Sequence, residues 1–307
     1  MSAPALQGFL SPLALAVLGL VVGSFLNVVV HRLPRMLERR WWGEVSAQLA
    51  DADAHREAFG DAPHPVLGEA AAQVQHRVEA LPALGLARPR SHCPACGHRL
   101  AWHENLPLLG WLRLRGRCAA CGARIPARYP LVEALTAALF AAVGLRFGAV
   151  PEVLAWCAFA ATLVALAAID WETTLLPDDL TLPLLWAGLV AAVLGWTVSP
   201  GAAIGGAAAG YLLLWGVHAV FRLVAGKEGM GHGDFKLLAA LGAWLGAQAL
   251  LPVLLLASVI GAAVGLAMKA AGTLREGRYV PFGPFLAGGG LAVLLAGPQD
   301  VARWMGW

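Results

Sequence analysis

The sequence predicts an all-α polytopic membrane protein of about eight transmembrane helices, with a small zinc-binding cytosolic domain between the first and second spans. Three observations predict it. Hydrophobic residues make up 59% of the 307 and charged residues only 13%, against about 25% charged in an ordinary soluble domain. Stretches of roughly 17–25 mostly apolar residues recur, each long enough to cross about 30 Å of hydrocarbon. Four cysteines fall as two C-x-x-C pairs within the one long polar segment.

The predicted spans are about 10–30, 131–148, 153–170, 180–198, 202–221, 235–249, 251–270 and 282–297. The first lacks a basic leading region and a clear cleavage site, so it reads as a retained anchor. The sixth is short and runs through Gly246-Ala247-Gln248 into the seventh, which suits a hairpin or a tilted pair. With the N-terminus outside, all of the 22 Lys and Arg except Arg146 and Arg303 fall in cytosolic segments. The positive-inside rule therefore places both termini in the periplasm. Trp41, Trp42, Trp171, Trp304 and Trp307 lie near span ends, as interfacial anchors do.

The segment 31–130 divides in two. Residues 36–90 suit short amphipathic helices broken by Pro63, Pro65 and Pro82, and carry no chemistry that composition reveals. Residues 91–128 hold Cys93-Pro-Ala-Cys96-Gly97 and Cys118-Ala-Ala-Cys121-Gly122. Each C-x-x-C-G reads as a knuckle that aims two sulfurs at one point, the glycine accepting the positive φ of the turn. Four thiolates satisfy a tetrahedral Zn²⁺, and a reducing cytosol disfavours disulfides. Cys157 lies inside a span and reads as a packing residue.

Two carboxylates sit where a bilayer should forbid them. Asp170 closes the run Leu154–Ile169, and Asp234 ends Gly229-Met-Gly-His-Gly-Asp234 and opens another apolar run. An ionisable group at that boundary costs on the order of 2–3 kcal/mol, so it needs a partner or a role. The predicted topology puts both at the cytosolic side. Paired carboxylates hydrolyse a peptide when one is ionised to take a proton from water and the other is protonated to polarise the carbonyl. Such a pair titrates jointly. Asp234 begins a helix, whose amides favour its anionic form and tilt the base role toward it. Gly231 and Gly233 leave room for an extended strand beside Asp234, or simply make a flexible loop.

Neighbouring groups admit two roles each. Glu172, Asp178, Asp179 and Glu228 read as caps or as an acidic lip facing a cationic substrate, with Asp179 or Thr181 capping the next helix and Asp178 a rival catalytic acid. Lys236 reads as an ordinary cytosolic lysine or a carboxylate partner, and His232 as a loop residue. No G-x-G-x-x-G after a strand marks a nucleotide site, and no nucleic-acid partner is expected. Polar groups at the cytosolic mouth, Asn27, Arg32, Glu104 and Asn105, are the candidates for a further small-molecule site.

Read together, Gly23-Ser-Phe-Leu-Asn27-Val-Val-Val-His-Arg32-Leu-Pro34, the knuckles with Glu104-Asn105-Leu-Pro107 between them, Arg128-Tyr-Pro-Leu-Val-Glu133, Ile169-Asp170…Leu176-Pro-Asp178, Gly226–Lys236 and Pro281-Phe-Gly-Pro284 resemble the type IV prepilin peptidase/N-methyltransferases over nearly the whole chain. The resemblance implies a bacterial inner-membrane enzyme that removes the basic leader of prepilins and type II secretion pseudopilins after a glycine. It implies methylation of the new N-terminus with S-adenosylmethionine, Asp170 and Asp234 as the catalytic pair, and Cys93, Cys96, Cys118 and Cys121 as zinc ligands. It divides the chain into an anchor (1–30), a methyltransferase-associated zinc domain (31–130) and a seven-span peptidase domain (131–307). Gly110 stands where the family often carries serine, and 41–90 resembles it least. From the residues alone, a proton pathway or a zinc-anchored scaffold with helix-capping aspartates stays open. Neither the choice of pilin nor the oligomeric state is legible.

Overall fold

The computed structural model describes residues 8–227, 230–273, 280–304 and 306. Glu228 and Gly229, Arg275 and Arg278 of the cytosolic-charge count, and Trp307 lie outside the described residues.

Among the described residues these α-helices follow in order: α1 (Pro12–Ala50), α2 (Ala52–Phe59), α3 (Pro65–Glu79), α4 (Leu109–Arg113), α5 (Arg128–Phe147), α6 (Val153–Thr173), α7 (Asp178–Val193), α8 (Pro200–Ala225), α9 (His232–Leu245), α10 (Leu250–Ala270), α11 (Gly283–Ala296) and α12 (Pro298–Trp304). Each predicted span coincides with a helix. Five are long and apolar enough to cross a membrane: α1, α5, α6, α8 and α10 with the 3-10 turn before it. The other three, α7, α9 and α11, have 16, 14 and 14 residues, or only about 21–24 Å. Their ends are set by backbone and not by polarity. Gly246 (φ 81) and Gly297 (φ 94) stop α9 and α11 in conformations that disfavour a side chain, and Pro177 is the N-cap of α7. The capping position expected at Asp179 or Thr181 therefore falls two or four residues earlier, at Pro177, whose ring and missing N–H stop the helix from extending backward.

The first span does not end at residue 30. α1 is 39 residues long and runs past the apolar stretch into the polar segment, with Pro34 inside it. Ser11 caps its start by accepting the N–H of Ala14. α1 lies against α5, and small residues set the approach: a Cβ on Gly19 would stand 2.7 Å from Ala137 Cα, and one on Gly23 2.7 Å from Glu133 Cα.

Around the shorter helices the packing is dense. α9 is buried along most of its length, from Asp234 to Trp244, and lies against α8 and α7. α11 packs on α6, α9 and α10. By contrast, α8 leaves Leu212, Val217, Val220, Leu223 and Val224 exposed, and α1 leaves Leu13, Val17 and Val21 so. Apolar side chains turned outward on long helices are what a lipid solvent selects, so the protein is a membrane protein.

Candidate active site and metal centre

Asp170 lies in the last turn of α6 and Asp234 in the first turn of α9. The two helices run in opposite directions. Near the start of α6, Trp156 and Phe159 pack on Trp244 near the end of α9, with ring centroids 5.3 and 5.0 Å apart. The Trp244 indole N–H also donates to Leu184 O of α7 at 2.8 Å. With the aromatic contacts at one end, both aspartates fall at the other.

The aspartates are nearly dry, 5% and 8% exposed. Thr174 ends α6 in the left-handed region (φ 54), and its N–H donates to Asp170 O at 2.8 Å. The chain thereby folds back under the site, and Leu176 enters it. A Cβ on Gly233, the residue before Asp234, would stand 2.8 Å from Leu176 Cβ. A Cβ on Gly283 would stand 2.6 Å from Asp170 Oδ2 and 3.1 Å from Leu176 Cδ2. Gly283, the first residue of α11, donates its N–H to Asp170 Oδ2 at 3.0 Å. Beside Asp170, a mostly apolar groove lies between α5, α6 and α11, walled by Val132, Ala168, Trp171, Pro284 and Ala287.

Three of the acids near the dyad are each paired with a base. Glu172 pairs with Arg128 at the start of α5. Asp178 receives Lys236 Nζ at 2.7 Å on both oxygens, and Asp179 lies 3.6 Å from Arg40 of α1. Each acid thus ties the α6–α7 turn to a different helix. Asp178 is spent on Lys236 and not aimed at Asp170, and Lys236 is a carboxylate partner. His232 is the first residue of α9, with its ring against Phe235 (5.3 Å) and His218 (5.6 Å). Sequence reasoning missed His218, which is 7% exposed with no hydrogen-bond partner on Nδ1 among the described residues; a histidine inside an apolar span was the signal. It also gave no role to Gly283, Leu176 or Glu133.

The cysteines converge. All four Sγ atoms lie within 4.8 Å of one another, with Cys93 and Cys121 3.9 Å apart and Cys96 and Cys118 4.0 Å apart. A tetrahedron of 2.3 Å Zn–S bonds has edges of about 3.8 Å, so the quartet fits a metal of that size. The two knuckles are built alike: Cys93 N–H donates to His98 O and Cys118 N–H to Ala123 O, with Gly97 (φ 73) and Gly122 (φ 71) turning each. Amides of Ala95 and Cys96 aimed at Cys93 lower its thiol to about 7, and those of Cys121 and Ala120 lower Cys118. Such donors favour the thiolate a metal requires.

The mouth residues have separate partners. Asn27 is buried and donates Nδ2 to Tyr129 O at 3.0 Å, while its Oδ1 has no partner among the described residues. Arg32, also buried, donates to Gly85 O at 2.9 Å and to Leu86 O. Glu104 caps its own turn, accepting Ala101 N–H at 2.8 Å beside His98, and these two contacts, amide first, hold its carboxyl below the usual range. Asn105 is exposed. The turn is fastened to α5 by Leu108 N–H, which donates to Glu133 Oε2 at 2.8 Å. Gly110 lets Glu104 O approach closely in this chain, since a Cβ would stand 2.2 Å from it.

Comparison with known proteins places the whole chain among relatives. Residues 17–147 match the Bacterial Peptidase A24 N-terminal domain, and residues 157–266 match the Type IV leader peptidase family. A protein of Burkholderia pseudomallei (strain K96243) named prepilin leader peptidase/N-methyltransferase is 49% identical over 92% of this chain and 84% of its own. Proteins of the same name from Aeromonas hydrophila and Pseudomonas aeruginosa are 48% and 45% identical, over 93% and 94% of this chain and 90% and 91% of theirs. No solved structure matches the chain significantly.

Proposed function

The chain belongs to the prepilin leader peptidase/N-methyltransferase family, and we propose that Asp170 and Asp234 are the pair with which it hydrolyses the leader peptide. It is an enzyme of two activities, leader cleavage and N-methylation. The observation that carries the dyad is that two carboxylates on opposed helices, each more than nine-tenths buried, lie at the same end, with Leu176 packed between Gly233, beside Asp234, and Gly283, whose N–H binds Asp170. Close like charges in a poorly hydrated site disfavour double ionisation, so one proton is shared and the pair supplies both base and acid. Water is activated by the ionised member and the scissile carbonyl is polarised by the other. The apolar groove beside Asp170 suits a peptide presented from the bilayer.

The substrates are prepilins and type II secretion pseudopilins, cut after glycine at the cytosolic face of the bacterial inner membrane. Charge asymmetry supports that orientation, with both termini periplasmic. Cys93, Cys96, Cys118 and Cys121 hold a structural Zn²⁺ that folds the segment between α1 and α5. The family name implies S-adenosylmethionine as methyl donor. Residues 31–130 form the domain that serves it, with the unpartnered Asn27 Oδ1 and the nearby Arg128 Nε, both buried, as available polar contacts. Residues 1–30 form the anchor and 131–307 the peptidase domain.

The test is a peptide assay read by mass. Asp170→Asn and Asp234→Asn each abolish cleavage of a prepilin-like peptide while the protein stays inserted and folded. Either variant retaining more than a few per cent of activity would remove the dyad assignment.

A further inference from the structure

We propose that Leu176 and Gly283 are positioning residues for the aspartate pair: Gly283 fixes Asp170 through its backbone N–H, and Leu176 sets the separation of Asp170 from Asp234. This rests on reading the two aspartates as the hydrolytic pair.

α6 and α9 share almost no backbone contact with each other. Their separation is therefore decided by what stands between them. At one end that is the cluster of Trp156, Phe159 and Trp244. At the aspartate end it is Leu176, which touches Gly233 on the Asp234 side and Gly283 on the Asp170 side. Both of its neighbours are glycines, and a methyl on either would fall within 3.1 Å of the leucine. The fit is therefore tight on two sides, and a smaller residue would let the helix ends close or tilt.

Leu176 is held in place by its own turn. The Glu172–Arg128 pair fixes the turn before it, and the Asp178–Lys236 pair fixes it after. The second pair fastens it to α9 itself, two residues beyond Asp234. Gly283 completes the frame. Its N–H reaches Asp170 Oδ2 at 3.0 Å from the first residue of a 14-residue helix that packs on both α6 and α9. A carboxylate bonded to a fixed amide has one orientation, and a displacement of about 1 Å in a catalytic group costs on the order of 100-fold in rate.

The experiment uses the full chain in detergent or lipid and measures kcat and KM for a prepilin-like peptide, methylation of a pre-cut peptide, and thermal unfolding. Leu176→Ala and Gly283→Ala should each lower kcat of cleavage by about 10- to 100-fold, with KM and methylation near those of the parent and a cooperative unfolding transition retained. Leu176→Met, which conserves volume, should restore most of kcat. Gly216→Ala, on α8 with nothing within 4 Å of its added Cβ, should leave kcat, KM and methylation unchanged. Parental kcat in Leu176→Ala overturns the proposal. So does a parallel fall of methylation, or a Leu176→Met variant as slow as the alanine. Asp170→Asn and Asp234→Asn in the same assay separate the two ideas: if they still cleave, the dyad reading fails, whereas dead asparagine variants beside a fast Leu176→Ala refute only the positioning role.

Discussion

Replacing Gly242 by alanine should separate two helices and slow the enzyme from about 12 Å away. Gly242 of α9 and Gly206 of α8 face each other so closely that a Cβ on Gly242 would stand 2.1 Å from Gly206 O, and one on Gly206 2.2 Å from Gly242 O. Ordinary contact of a methyl with oxygen begins near about 3.4 Å, so the helices must part by roughly 1 Å. Both obstructing atoms are backbone, and no rotamer change relieves the clash. Overpacking of this kind costs about 1–3 kcal/mol. Eight residues separate Gly242 from Asp234, about 12 Å of helix, and a rigid α9 carries the displacement to the carboxylate. Cleavage should fall by 10-fold or more, with the unfolding midpoint several degrees lower. Gly205→Ala is the internal control: its Cβ meets nothing within 4 Å, so stability should change by no more than about 1 kcal/mol, in the direction of helix propensity. Purified variants compared by thermal unfolding and peptide cleavage decide the matter. A Gly242→Ala protein with parental midpoint and parental rate would refute the close crossing as the device that places Asp234.

Elemental analysis should find about one zinc per chain, and a single Cys→Ser at Cys93, Cys96, Cys118 or Cys121 should lower it and raise protease sensitivity of the cytosolic segment; metal-free protein with an unchanged digestion pattern would contradict this. The two activities should separate, Asp170→Asn still methylating a pre-cut peptide while knuckle variants lose methylation more than cleavage, as a labelled methyl donor can show. Lys236→Met and Asp178→Asn should each reduce cleavage several-fold, and the double variant should be no worse than the singles, because they break one pair. Stability should move by no more than about 1 kcal/mol, since both side chains are partly exposed, and a double-mutant cycle with no coupling would reject the pair as an anchor.

The membrane class, the converging cysteine quartet and the two aspartates at the edges of apolar runs were legible in the sequence, because each of these is a local property. Hydropathy over about 20 residues reports a span, a C-x-x-C-G reports its own turn, and an acid at the edge of an apolar run reports its own cost. It also put Asp170 and Asp234 on the same side, through charge asymmetry alone.

Only the tertiary structure decided what lies between them. Leu176 reads in sequence as one more leucine, yet it fills the gap left by two glycines from segments 50 residues apart. Glu172, Asp178 and Asp179 read as an acidic run, yet each meets a base from a different helix, because a turn brings side chains together with groups remote in sequence. Asn27 and Arg32 look alike as polar residues at a membrane mouth, but both are occupied with backbone carbonyls far along the chain. Composition and spacing describe what a segment is; which segment it meets is fixed by packing, and the distance between two carboxylates is a property of the packing.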